Sequence, residues 1–160
     1  MSLFYQRLDE TGDGSGNDNM NIDGSSAPII FKIKPGIDES LKIARIIVYV
    51  EDSGTFDAEK WGNGITMSNG IEFKLKQNGI PVNKLGFNIK SSGDMAGICH
   101  DLNHQAFGTG NEFVTFRLTF TKAGRYVRLS GAEGDEMQCI INDDLSGLVK
   151  MHIIAQGFYA

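Results

Sequence analysis

A chain of 160 residues that is 41% hydrophobic and carries 10 Phe holds enough apolar material for one core of ordinary size, which excludes disorder throughout. Its net charge of −5 makes the average surface repel phosphate, so direct nucleic-acid binding is disfavoured. With 20 Gly against 3 Pro, tight turns and hence β structure are favoured over helix, and no run approaches the roughly 18 apolar residues of a membrane span.

The first 27 residues differ from all that follow. Thr11 to Ser26 is almost entirely Gly, Asp, Asn and Ser, too poor in apolar surface to offset its own ordering entropy. Ahead of it stand Leu3, Phe4, Tyr5 and Leu8. This layout predicts an extended N-terminal arm over 1–27, with those four residues as its anchor on a partner and a compact domain over 28–160. Fully extended, such an arm reaches on the order of 90 Å.

From Pro28 the chain reads as strands. Ile29 to Ile33 is a short apolar run closed by Pro35-Gly36, and Leu41 to Glu51 is rich in β-branched residues. Phe56 to Trp61 suits one helical turn. Ser68-Asn69-Gly70 predicts a hairpin between Ile65–Met67 and Ile71–Lys76; Ile71, Phe73 and Leu75 alternate with Glu72, Lys74 and Lys76, one face core and one wet. Asn78-Gly79 repeats that turn chemistry before a weaker run. Met95, Ile98 and Leu102 at three- and four-residue spacing predict a helix over 94–105. Phe113 to Thr121, Arg125 to Ser130, Met137 to Ile141 and Leu148 to Tyr159 complete about eight strands. The spacing predicts a mainly β fold, an antiparallel β-sandwich of jelly-roll type with one short helix.

His100 and His104 stand four apart on the expected helix, but Asp101 replaces the Glu a zinc-protease motif needs, and a third ligand would have to come from His152. Asp13, Ser15, Asn17, Asp18 and Asn19 offer calcium-type oxygens without the EF-hand order, since Asp18 stands where the turn glycine belongs. Cys99-His100-Asp101 places three reactive types side by side, yet consecutive helical residues diverge by about 100°. Cys99 and Cys139 are too sparse for a disulfide framework and read as buried free thiols, and Asp143-Asp144 reads as a turn. The expectation is therefore no catalytic residue, no metal and no cofactor: not an enzyme.

Segments along nearly the whole chain resemble small virion proteins of tailed bacteriophages. They are Glu10 to Gly16, Ala44 to Val48, Glu51 to Asp57, Trp61-Gly62-Asn63, Ser68 to Ile71, Cys99-His100-Asp101, Phe120 to Gly124, Asn142 to Leu148 and Gln156-Gly157. The resemblance implies a non-enzymatic structural protein of the head or neck: capsid decoration or cement, or a head-tail collar or connector component. On that reading the partners are further copies of the chain and other virion proteins (major capsid, portal or tail components), with no membrane and no direct nucleic-acid contact. The initial residues lack a signal-peptide layout, so synthesis in a cytoplasm is expected, and the resemblance implies assembly in the host cytoplasm and residence in the virion. The rival reading is a β-sandwich binding module for glycans or a host receptor, with Tyr49, Trp61, Tyr126 or Tyr159 stacking on sugar rings.

Overall fold

A computed structural model describes residues 2–13, 23–53, 68–78, 80–89, 101–106, 111–123 and 126–160. The expected turn at Phe56–Trp61, the strand at Ile65–Met67, Cys99 and His100 lie outside the described residues.

The chain is mainly β, in two antiparallel sheets. Among the described residues the strands, in chain order, are β1 (Leu3–Arg7), β2 (Ile29–Ile33), β3 (Ser40–Ser53), β4 (Ile71–Gln77), β5 (Ile80–Ile89), β6 (Asp101–Ala106), β7 (Asn111–Thr119), β8 (Val127–Ser130), β9 (Glu136–Ile141) and β10 (Lys150–Tyr159), with a 3-10 turn at Phe120–Ala123. One sheet runs β1-β10-β3-β7-β6, with β8 also on β3; the other runs β2-β9-β4-β5. The long β3 organises the larger sheet. Its residues from Leu41 to Glu51 pair with β10 on one side, while its first residues pair with β8 and those from Arg45 onward with β7 on the other.

Alternation explains the core. Ile71, Phe73 and Leu75 of β4 lie opposite Ile141, Cys139 and Met137 of β9, and all six are buried. Ile46, Val48 and Val50 of β3 and Ile153 and Ala155 of β10 join the same cluster from the larger sheet, so both sheets share one apolar core. The β4–β5 turn is closed at Asn78, whose φ of 50° is the left-handed conformation that Asn tolerates.

Two expectations are corrected. The helix over 94–105 is not formed by its described part: Asp101–Ala106 is β6, paired residue for residue with β7 from Arg117 to Glu112. A ladder of non-local backbone bonds outweighs the weak local spacing of Ile98 and Leu102. The leader, likewise, is tied to its own domain at both described ends. Leu3–Arg7 pairs antiparallel with β10, Asp9 bridges to Lys32, and Asp23 bridges to Asp144. Of the anchors, Phe4 and Leu8 are buried in the chain's own core, because Phe4, Gln6 and Leu8 fall on the inward side of β1. Leu3 and Tyr5, on the outward side, remain 80% and 66% exposed. The expected boundary at 27/28 is thus crossed by strand pairing.

Candidate interface on the larger sheet

The buried carboxylates are committed to holding turns and neighbours. Asp143 accepts the backbone N–H groups of Ser68, Asn69 and Gly70, the last at 2.6 Å, and so pins a turn more than 70 residues away. Asp135 accepts those of Ser130 and Asn78, and Asp9 those of Gly12 and the Thr11 hydroxyl. Glu51 accepts the Tyr49 hydroxyl and faces Lys150, while Glu136 is bound by Gln138 and faces Lys76. An acid–base pair with divergent environments is not formed by these five. Asp144 sits in an Asx-type turn, its pKa lowered by the Ser146 side-chain and backbone donors.

Among the described residues no group of three or more His, Cys, Asp or Glu is placed to hold a metal. His104 lies on β6 and His152 on β10, with β7 and β3 between them, which separates their backbones by about 14 Å. The helical spacing that set His100 against His104 does not apply to a strand residue. Of the calcium-type oxygens, only Asp13 is described. Cys139 is a free, buried thiol whose pKa burial pushes up.

A different feature emerges on the outward face of the larger sheet. Between Gln156 and Gly157 the β10–β3 register shifts, leaving Ala44 as the extra residue of a β-bulge. A Cβ at Gly157 would meet the Lys42 carbonyl oxygen at 2.0 Å, so only glycine lets the strands close there. The bulge has a consequence for side chains: Lys42 and Arg45, three apart and otherwise on opposite faces, both point outward, opposite Phe158 and Gln156. Lys42 also stands directly across from Arg128 on β8, and Arg117 follows on β7 opposite Ile47.

Like charges directly opposed across strands are destabilising. Yet among the described residues none of Lys42, Arg45, Arg117 or Arg128 makes an ion pair. Arg45 Nε is buried with no acceptor. Aromatic side chains border the cluster. Tyr126, 49% exposed, meets Phe158 edge to face at 5.9 Å, and Tyr5 lies opposite Gln156 on β1. Farther along the same face Tyr49 stacks on His152, and the Tyr49 hydroxyl is pushed up to about pKa 12 by burial and then by the Glu51 carboxylate.

The sequence-predicted residues therefore separate. Leu3 and Tyr5 reach this face; Phe4 and Leu8 do not. Tyr126 belongs to it, Tyr159 is 41% exposed against Phe4, and Trp61 lies outside the described residues. The cations were not singled out from sequence. Fold and face together define a two-sheet, mainly β protein with a cationic, aromatic-edged surface on an acidic chain. No family model, curated protein or solved structure matches it.

Proposed function

We propose that the two sheets pack as a β-sandwich of jelly-roll type, and that the chain is a non-enzymatic structural protein of a tailed-phage virion. In this role it serves as capsid decoration or as a collar or connector component of the neck. It holds the particle through a preformed face rather than through a free arm. The resemblance of segments along the chain, in their order, to small virion proteins of tailed bacteriophages is what suggests the virion role. The observation that carries the assembly role is the cluster of Lys42, Arg45 and Arg128, without ion pairs among the described residues, beside exposed Tyr5 and Tyr126, on a chain of net charge −5. Cations set opposite one another lower a monomer's stability, and an acidic neighbour turns that cost into contact specificity. Copies or companions related by symmetry multiply each such contact.

Quantitative mass spectrometry and imaging of intact particles test the reading. The expected result is on the order of tens to hundreds of copies per particle, at the capsid surface or neck, as closed symmetry requires. Absence from the particle contradicts it. A second reading, an anionic-glycan module, is favoured by one observation: exposed Tyr126 packed on Phe158 close to Arg128. Binding on a glycan array that is lost in Tyr126→Ala would replace the assembly role with it.

A further inference from the structure

Next to the cationic cluster, at the same end of β3 and β8, stands a small acidic knob. It is made of two loops, 36–39 and 131–134, held together by backbone. The Gly131 N–H donates to the Glu39 carbonyl at 2.9 Å, and a Cβ at Gly131 would meet the Gly36 carbonyl oxygen at 1.7 Å. Gly134 adopts a φ of 69°, and Asp135 fixes the turn from beneath through the Ser130 and Asn78 N–H groups. The shape is therefore set before any partner arrives, which lowers the ordering cost of contact. At its surface stand Asp38, Glu39 and Glu133, all exposed, around Ile37 at 75% exposure. Neither Asp38 nor Glu133 makes an ion pair among the described residues. Glu39 alone is engaged, accepting the Gly36 N–H at 2.9 Å.

The knob and the cluster are neighbours along one ladder. Ser40 pairs with Ser130, Leu41 with Leu129, and Lys42 with Arg128, and Asp38, in the turn just before β3, is four residues from Lys42 and so within about 13 Å of it along the chain. Two adjacent patches of opposite charge form a self-complementary surface. A two-fold rotation lays each patch on the other patch of a second copy, as isologous contacts require. We infer that the chain forms a two-fold dimer in which Ile37, Asp38 and Glu133 of each copy dock on Lys42, Arg128 and Phe158 of the other. The inference rests on the assembly reading above and names its first partner: a second copy of this chain. The apolar Ile37 supplies a centre against Phe158 and Tyr126, and the ions form the rim that fixes orientation.

Sedimentation velocity on the full chain tests it, with two variants. Wild type is expected to show twice the 17.5 kDa chain mass, with association weakening about tenfold or more as salt is raised from 0.05 to 0.5 M. Lys42→Glu/Arg128→Glu alone is expected to be monomeric, and so is Asp38→Lys/Glu133→Lys alone. Mixing the two variants restores a 1:1 dimer, since one copy is then negative at both patches and the other positive. Circular dichroism and thermal melts confirm that each variant is folded. A wild-type monomer at all concentrations overturns the dimer, as does a mixture that stays monomeric, or one that grows beyond two chains. The virion role fails separately: a chain that dimerises as described but is absent from particles contradicts that reading and leaves the dimer standing. A monomer found in particles at high copy number does the reverse.

Discussion

The outward faces of the two sheets differ in how their described charges are partnered. On the four-stranded sheet, Lys74 pairs with Glu72 at 2.6 Å, Lys76 with Glu136 across the ladder, and Asn142 reaches Glu72. These charges are answered locally, whereas Lys32 on the same face makes no ion pair among the described residues. On the larger sheet, Lys42 and Arg128 oppose one another, Arg45 is brought alongside by the bulge, and none of the three makes an ion pair among the described residues. A surface that serves only to meet water has no need to gather like charges, so the contrast supports the proposal that the larger sheet's outward face meets a partner.

The comparison can be broken most severely by removing β1, which carries Leu3 and Tyr5 to the margin of the cationic face. Phe4→Ala/Leu8→Ala is expected to cost about 4 kcal/mol or more in denaturant unfolding, from two core side chains at 6% and 3% exposure. A free arm would cost nothing. Next, Gly157→Ala should disturb the bulge that aligns Lys42 with Arg45. Backbone overlap at 2.0 Å predicts a loss of about 2 kcal/mol, with weaker self-association, both readable from melts and sedimentation.

How much of this was legible beforehand follows from which residues carry each feature. Strands β2, β3, β4, β7, β9 and β10 announce themselves through runs such as Ile29-Ile30-Phe31 or the alternation of Ile71, Phe73 and Leu75. Strand β1 does not. Its core-facing Phe4 and Leu8 bracket Gln6, whose amide instead serves the Gly12 carbonyl, and its partner Gly157 lies at the far end of the chain. The segment Asp101 to Ala106 has one aliphatic residue of any size, Leu102, so only pairing with β7 makes it a strand. The cationic cluster was hidden for a sharper reason. A spacing of three puts Lys42 and Arg45 on opposite faces of a regular strand, and nothing local to Ala44 reveals a bulge required by Gly157.

Smaller effects sharpen the contrast. Lys74→Glu/Lys76→Glu on the satisfied face should cost about 1 kcal/mol of stability through its broken pairs, while leaving self-association unchanged. Equal loss of association from both faces would dissolve the distinction. At high pH, the Tyr49 hydroxyl is a group whose folded pKa is raised. Its contribution is complete below the unfolded value near 10 and is lost as pH rises toward about 12, because an ionised phenolate would be part-buried beside Glu51. Tyr49→Phe should flatten the alkaline limb of stability between those values, as followed by melts at stepped pH. An unchanged limb would remove Tyr49 from the account.

The most direct test compares lysines on the two faces in one sample. Acetylation footprinting of dispersed and associated protein, read by peptide mass spectrometry, should show Lys42 losing reactivity on association while Lys74 and Lys76 keep theirs. Protection of Lys74 and Lys76 with Lys42 still reactive would contradict the assignment of the larger sheet's outward face as the contact surface.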